Sequence, residues 1–139
     1  MENKLKINLN NQEKDLLLKD LCSRLPYGVK ISVNDKIESL QGINILDNAV
    51  EYGSFLSCDI EEVKPYLLPL SSMTEEQLYN NPVGFSQMLI IKADRDWENI
   101  TINRRGYYKL VDWFNKNYFD FRGLISMGLA IDCTNLNIY

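Results

Sequence analysis

Leu17, Leu21 and Leu25, with Leu18 and Cys22 beside them, recur at helical spacing and predict an amphipathic helix over residues 12–24. Asn10 or Asn11 can cap it and Glu13 suits its first turn, while Pro26 ends it because the residue before a proline avoids the α region. The period then drops to two. Tyr27, Val29, Ile31 and Val33 alternate with Gly28, Lys30, Ser32 and Asn34, the pattern of a strand with one face buried, here expected to lie against the helix. Asn34-Asp35 supplies a turn, and Ile37, Ile43 and Ile45 continue with looser alternation through Gly42. Asp47-Asn48 makes a second turn, and residues 49–58 read as a third strand interrupted at Gly53. Such short loops favour antiparallel pairing, hence a meander of three strands.

Val63-Lys64-Pro65-Tyr66-Leu67-Leu68-Pro69-Leu70 carries two prolines too close for a helix interior and predicts an extended edge segment. Tyr66, between the prolines, is a candidate binding residue, since a Pro-flanked edge with an aromatic can dock peptide; more often such a segment covers a sheet edge. Thr74-Glu75-Glu76-Gln77 has capping-box spacing and opens a short helix that Asn80-Asn81-Pro82 ends. Residues 87–93, with Met88, Leu89, Ile90 and Ile91, form a run too brief to separate a buried strand from a helix turn, with helix the preferred reading. Tyr107, Leu110, Val111, Phe114 and Tyr118 form a stripe at i, i+3, i+4, i+7 and i+11, which predicts a helix over residues 104–117 with Trp113 at its edge. From Tyr118 onward Gly123 and Gly128 punctuate short apolar runs, an irregular segment expected to pack on the core. The predicted fold is α+β: one domain over residues 1–139, an N-terminal helix on a three-stranded antiparallel meander, followed by helices and an irregular C-terminal segment.

The 139 residues are 45% hydrophobic and 24% charged, enough apolar material for a packed core. No apolar run approaches the ~18 residues of a membrane span. The absence of histidine removes Ser/His/Asp and Cys/His catalysis and the usual two-His metal sites. Fifteen Lys and Arg against 19 Asp and Glu leave a net charge of −4, which argues against a broad phosphate-tracking surface; nucleic acid is not the expected partner, although a local basic patch is compatible with this balance. Cys22, Cys58 and Cys133 have no CxxC spacing and read as reduced thiols in or near the core. The polar stretch of residues 1–11 lacks the apolar stretch of a signal peptide, so the expected compartment is the cytoplasm, where the sequon Asn99-Ile100-Thr101 is accidental.

Asp47 with Glu62-Val63-Lys64 resembles the carboxylate and carboxylate-x-lysine pattern of Mg²⁺-dependent nucleases, but Pro65 would disturb the central strand such sites use. A solvated strand end is the simpler reading. Asp94, Asp96 and Glu98 alternate like the start of a calcium loop, yet Asn99 stands where glycine is needed and Arg105 where a bidentate Glu is needed. Three cysteines without histidine leave a zinc site short of a fourth ligand. Neither a metal nor a cofactor is therefore expected. Arg104, Arg105, Lys109, Lys116 and Arg122 lie near Tyr107, Tyr108, Trp113 and Phe121, a mixture able to stack bases and pair phosphates, although the outer face of an amphipathic helix needs no such role and Tyr107 belongs to the buried stripe. Asp120, Phe121 and Arg122 place a charged pair around an aromatic between a helix end and Gly123. These three join Tyr66 as candidate binding residues; the plainer reading is an Asp120–Arg122 pair that pins the C-terminal segment.

Leu25-Pro26-Tyr27-Gly28-Val29-Lys30, then residues 63–74 from Val63 through Ser71-Ser72-Met73-Thr74, then Phe119-Asp120-Phe121-Arg122-Gly123-Leu124-Ile125 and Gly128-Leu129-Ala130-Ile131-Asp132 carry a resemblance. Together they are similar to a family of small uncharacterised proteins of Bacteroidetes phages, prophages and mobile elements. The resemblance implies an accessory protein in a bacterial cytoplasm and brings no functional residue with it. The expected function is that of a non-enzymatic protein-binding or regulatory module with a phage or host protein as partner. The alternatives are a nucleic-acid-binding protein, with Arg104, Arg105, Lys109 and Lys116 on one face, or a metal-dependent nuclease using Asp47, Glu62 and Lys64.

Overall fold

The computed structural model describes residues 9–93 and 103–139. Helix α1 (Asn11–Arg24) opens on a capping box, with Asn10 Oδ1 accepting the Glu13 N–H at 2.8 Å and Glu13 Oε1 accepting the Asn10 N–H at 3.1 Å. Pro26 turns the chain out of it through a single 3₁₀ turn, Leu25–Tyr27, closed by Gly28 in the left-handed region at φ 71°. Strand β1 (Lys30–Val33) then reverses through Asn34 and Asp35, both left-handed, into β2 (Lys36–Asn44). Two such residues make a hairpin turn whose twist matches that of the strands. Val29, Ile31 and Val33 are buried in one core with Leu17 and Leu21, as the alternation predicts, while Gly28 and Asn34 are exposed and Lys30 and Ser32 half-buried. Tyr27 departs from the pattern: it sits in the 3₁₀ turn and donates its hydroxyl to Asp112.

The predicted three-stranded meander is replaced by a six-stranded mixed sheet in the order β4-β3-β2-β1-β5-β6. Residues 49–58 are two strands, β3 (Ala49–Tyr52) and β4 (Leu56–Asp59), because Gly53 and Phe55 both take left-handed conformations and fold the chain back on itself. Strand β5 (Val63–Leu67), expected at an edge, lies inside the sheet, antiparallel to β1 and parallel to β6 (Ile131–Asp132). Pro65 is the last residue of β5 in register with β1, opposite Ile31, and the β6 register of Tyr66–Ile131 and Leu67–Asp132 starts past it, so pairing with β6 does not call on the missing proline N–H. Strand β6 comes from the segment predicted to be irregular; two residues carry no readable period.

A second core gathers under α2 (Glu75–Tyr79), α3 (Phe85–Lys92) and α4 (Arg104–Lys116). Thr74 and Gln77 form the expected capping box of α2. Asn81 joins α2 to α3 by donating to the carbonyls of Gln77 and Leu78 and accepting the N–H groups of Val83 and Gly84. Leu110 and Phe114 are fully buried against Met88, Ile91, Phe119 and Phe121. Tyr107, expected on this buried stripe, is 42% exposed, because the N-terminal turn of α4 runs past the core. Cys133 is buried and Cys58 half-buried, but Cys22, expected near the core, is exposed. No described helix is long and apolar enough to cross a membrane.

Candidate functional site

Asp20 and Arg24 lie one turn apart on the same face of α1 as Leu17 and Leu21, so both polar side chains enter the interior, where neither retains solvent exposure. Arg24 donates Nε to Asp20 Oδ2 at 3.0 Å, Nη2 to the Phe119 carbonyl at 2.6 Å and Nη1 to the Phe114 carbonyl at 3.4 Å. Arg122 donates Nη1 to the second Asp20 oxygen at 2.7 Å and more loosely to Asn115. Ser23 closes the ring by donating to the Asp20 carbonyl and to Asn115 Oδ1. The Phe121 ring lies 4.1 Å from the Arg122 guanidinium and 5.6 Å from that of Arg24, and it stacks on Phe114.

This places Asp120, Phe121 and Arg122 in one cluster, but with different bonds from those predicted. Arg122 pairs with Asp20, and Asp120 instead accepts the N–H groups of Leu124 and Ile125, each at 2.8 Å. Burial pushes the Asp120 carboxyl above its ordinary value against the pull of those two amides, and burial also lowers the Arg122 guanidinium despite Asp20. Tyr66, the fourth candidate, is buried in β5, where its carbonyl accepts the Tyr139 hydroxyl at 2.9 Å. Among the described residues no buried side-chain nitrogen or oxygen lacks a partner, and Arg122, whose side chain keeps 13% exposure, makes its bonds here through Nη1. Its chemistry is that of a clamp: it ties α1 to α4 and to the C-terminal segment. Asp20 and Arg24 were not predicted, although polar residues at the i+3 and i+7 positions of the Leu17–Leu21 stripe marked them.

The nuclease residues are occupied separately. Asp47 sits in the exposed β2–β3 turn bonded to Asn44, Glu62 accepts the Asp59 N–H to cap a 3₁₀ turn, and Lys64 stands in β5 opposite Ser32. No group of three or more His, Cys, Asp or Glu side chains able to hold a metal ion is found among the described residues. Asp94, Asp96, Glu98 and Asn99, together with the sequon, lie outside those residues.

Three exposed surfaces stand out among the described residues. On α2 and α3, Tyr79 stacks on Phe85 with ring centroids 4.6 Å apart, and Phe85, Leu89 and Ile90 are 38%, 48% and 50% exposed. At the β3–β4 hairpin, Phe55 and Leu56 flank an open groove of about 590 Å³ that Gln41, Glu51 and Tyr52 also line. On α4, Arg104, Arg105, Tyr108, Lys109, Asp112 and Lys116 all face solvent. No family model, curated protein or solved structure matches the chain.

Proposed function

We propose that this chain is a non-enzymatic protein-binding module, a phage or mobile-element accessory protein acting in a bacterial cytoplasm. Its docking surface is the ledge formed by Tyr79, Phe85, Leu89 and Ile90. The observation that carries the reading is the composition of α3: Phe85, Met88, Leu89, Ile90 and Ile91 make five of its eight residues apolar, yet Met88 and Ile91 alone are buried. A helix apolar all round is normally enclosed on all sides, so the outer face of α3 is suited to a partner. Glu75 and Glu76 share a face of α2 with Tyr79 and give the ledge an acidic rim. The matching partner is a protein segment with apolar anchors and a basic flank.

Affinity capture during phage induction, with wild-type and Ile90→Glu protein run side by side, tests the proposal. A partner retained by the first and lost from the second, at equal urea midpoints, supports it. Identical captured sets would refute it.

A further inference from the structure

We propose that the exposed face of α4 is a contact site for single-stranded nucleic acid, separate from the α2–α3 ledge. Helical spacing puts Arg104, Tyr108, Asp112, Arg105, Lys116 and Lys109 within one arc of about 140°, along an axis of about 18 Å. All six are exposed. Four cations against one carboxylate leave this face at +3, on a chain whose net charge is −4. The carboxylate is itself engaged, since Asp112 accepts the Tyr27 hydroxyl.

Solvation alone does not explain the placement of the arginines. The N-terminal end of a helix carries partial positive charge and favours acids. Helices α1 and α2 obey this, with Glu13 and with Glu75 and Glu76 in their first turns, and the 3₁₀ turn after Asp59 has Glu61 and Glu62. Helix α4 does the opposite: its first two residues are Arg104 and Arg105, and its first turn holds no acid. Glutamates there would solvate the face equally well and suit the helix better, so the cations answer to something outside the fold. A polyanion meets that requirement.

The aromatics choose among polyanions. Tyr108, 66% exposed, stands between Arg104 and Arg105 on the arc, with Tyr107 edge-on to it at 6.1 Å. An exposed tyrosine ringed by cations offers a base a stacking surface while the cations hold phosphates, which an acidic polypeptide does not use. The face takes a strand with accessible bases, not a duplex whose bases are stacked inside.

Fluorescence anisotropy with the full-length protein and a fluorescein-labelled 20-nucleotide oligothymidylate tests this. With four phosphates neutralised, affinity should fall about 50-fold between about 50 and 200 mM salt, a log–log slope of about −2.8. Arg105→Gln with Lys109→Gln should halve that slope, leaving a fall of about sevenfold over the same range. Tyr108→Ala should weaken binding at least about fivefold at every salt concentration. Urea midpoints of these variants should be unchanged or higher, which separates lost contact from lost fold. Polyglutamate competing as well as the oligonucleotide, with no effect of Tyr108→Ala, would assign the face to acidic protein and overturn the proposal. Absence of binding at 50 mM salt would overturn it too.

Discussion

Arg122 reaches across 102 residues of sequence to donate Nη1 to Oδ1 of Asp20 at 2.7 Å. The other oxygen of that carboxylate holds Arg24, so a single acid deep in α1 balances two guanidiniums. Removing it strands both in a medium of low polarity. Asp20→Ala should destabilise the protein by about 3–5 kcal/mol, the usual consequence of breaking one side of a buried ion pair. Replacing Asp20, Arg24 and Arg122 together by Leu, Met and Met should recover much of that loss. Urea melts of both variants check this; a triple variant less stable than Asp20→Ala would mean that the ionic bonds themselves stabilise the fold.

Phe114 is the centre of the aromatic packing, stacked on Phe121 and edge-on to Phe119. Phe114→Ala should cost about 3–5 kcal/mol, whereas Tyr107→Ala on the same predicted stripe should shift stability by no more than ~0.5 kcal/mol. Equal denaturation midpoints for the two variants would contradict the core assignment.

Asp120 makes stability depend on pH in a defined direction. Burial raises its carboxyl above 3.8, with Asp20 adding to the rise while the Ile125 and Leu124 amides and Arg24 oppose it. An acid whose folded value lies above its unfolded value contributes stability fully below the unfolded value and loses it as pH rises through the folded one. The stability of wild type relative to Asp120→Asn should therefore increase as pH falls from neutrality toward 3.8. A relative loss on acidification, measured by urea melts across this range, would show that the two amide donors outweigh burial.

Asp35 occupies a left-handed position, φ 62°, in the β1–β2 hairpin, next to Asn34 at φ 52°. Asn-Gly is the preferred pair for such a turn. Asp35→Gly should raise stability by about 0.5 kcal/mol, the strain relieved exceeding the added chain entropy. A lower thermal midpoint would assign the Asp35 side chain a stabilising contact.

Elements with a long period or a local cap were legible in the chain: Leu17–Leu21 in α1, the Thr74–Gln77 box, the Leu110–Phe114 stripe and the Val29–Ile31–Val33 alternation. What escaped depends on contacts distant in sequence. Strand β6 exists only because Tyr66 and Leu67 are there to pair with it, and β5 tolerates Pro65 only because of where its neighbours start. The hairpin at Gly53 needed Phe55, a residue with no turn propensity, to adopt a left-handed conformation. Among the site residues, Asp120, Phe121 and Arg122 were found by their local pattern, yet the acid that Arg122 meets lies in the first helix. Spacing within the C-terminal segment could not reveal that pairing.

Site-specific photocrosslinking tests the docking ledge most directly. A photoreactive phenylalanine analogue placed at Leu89 or Ile90 should give a discrete crosslinked partner band in cells undergoing phage induction. The same analogue at exposed Lys36, on the β2 side of the first hairpin, should give none. A band from position 36 with none from 89 or 90, or no band from any of the three, would contradict the assignment of the outer face of α3 as a protein-docking surface.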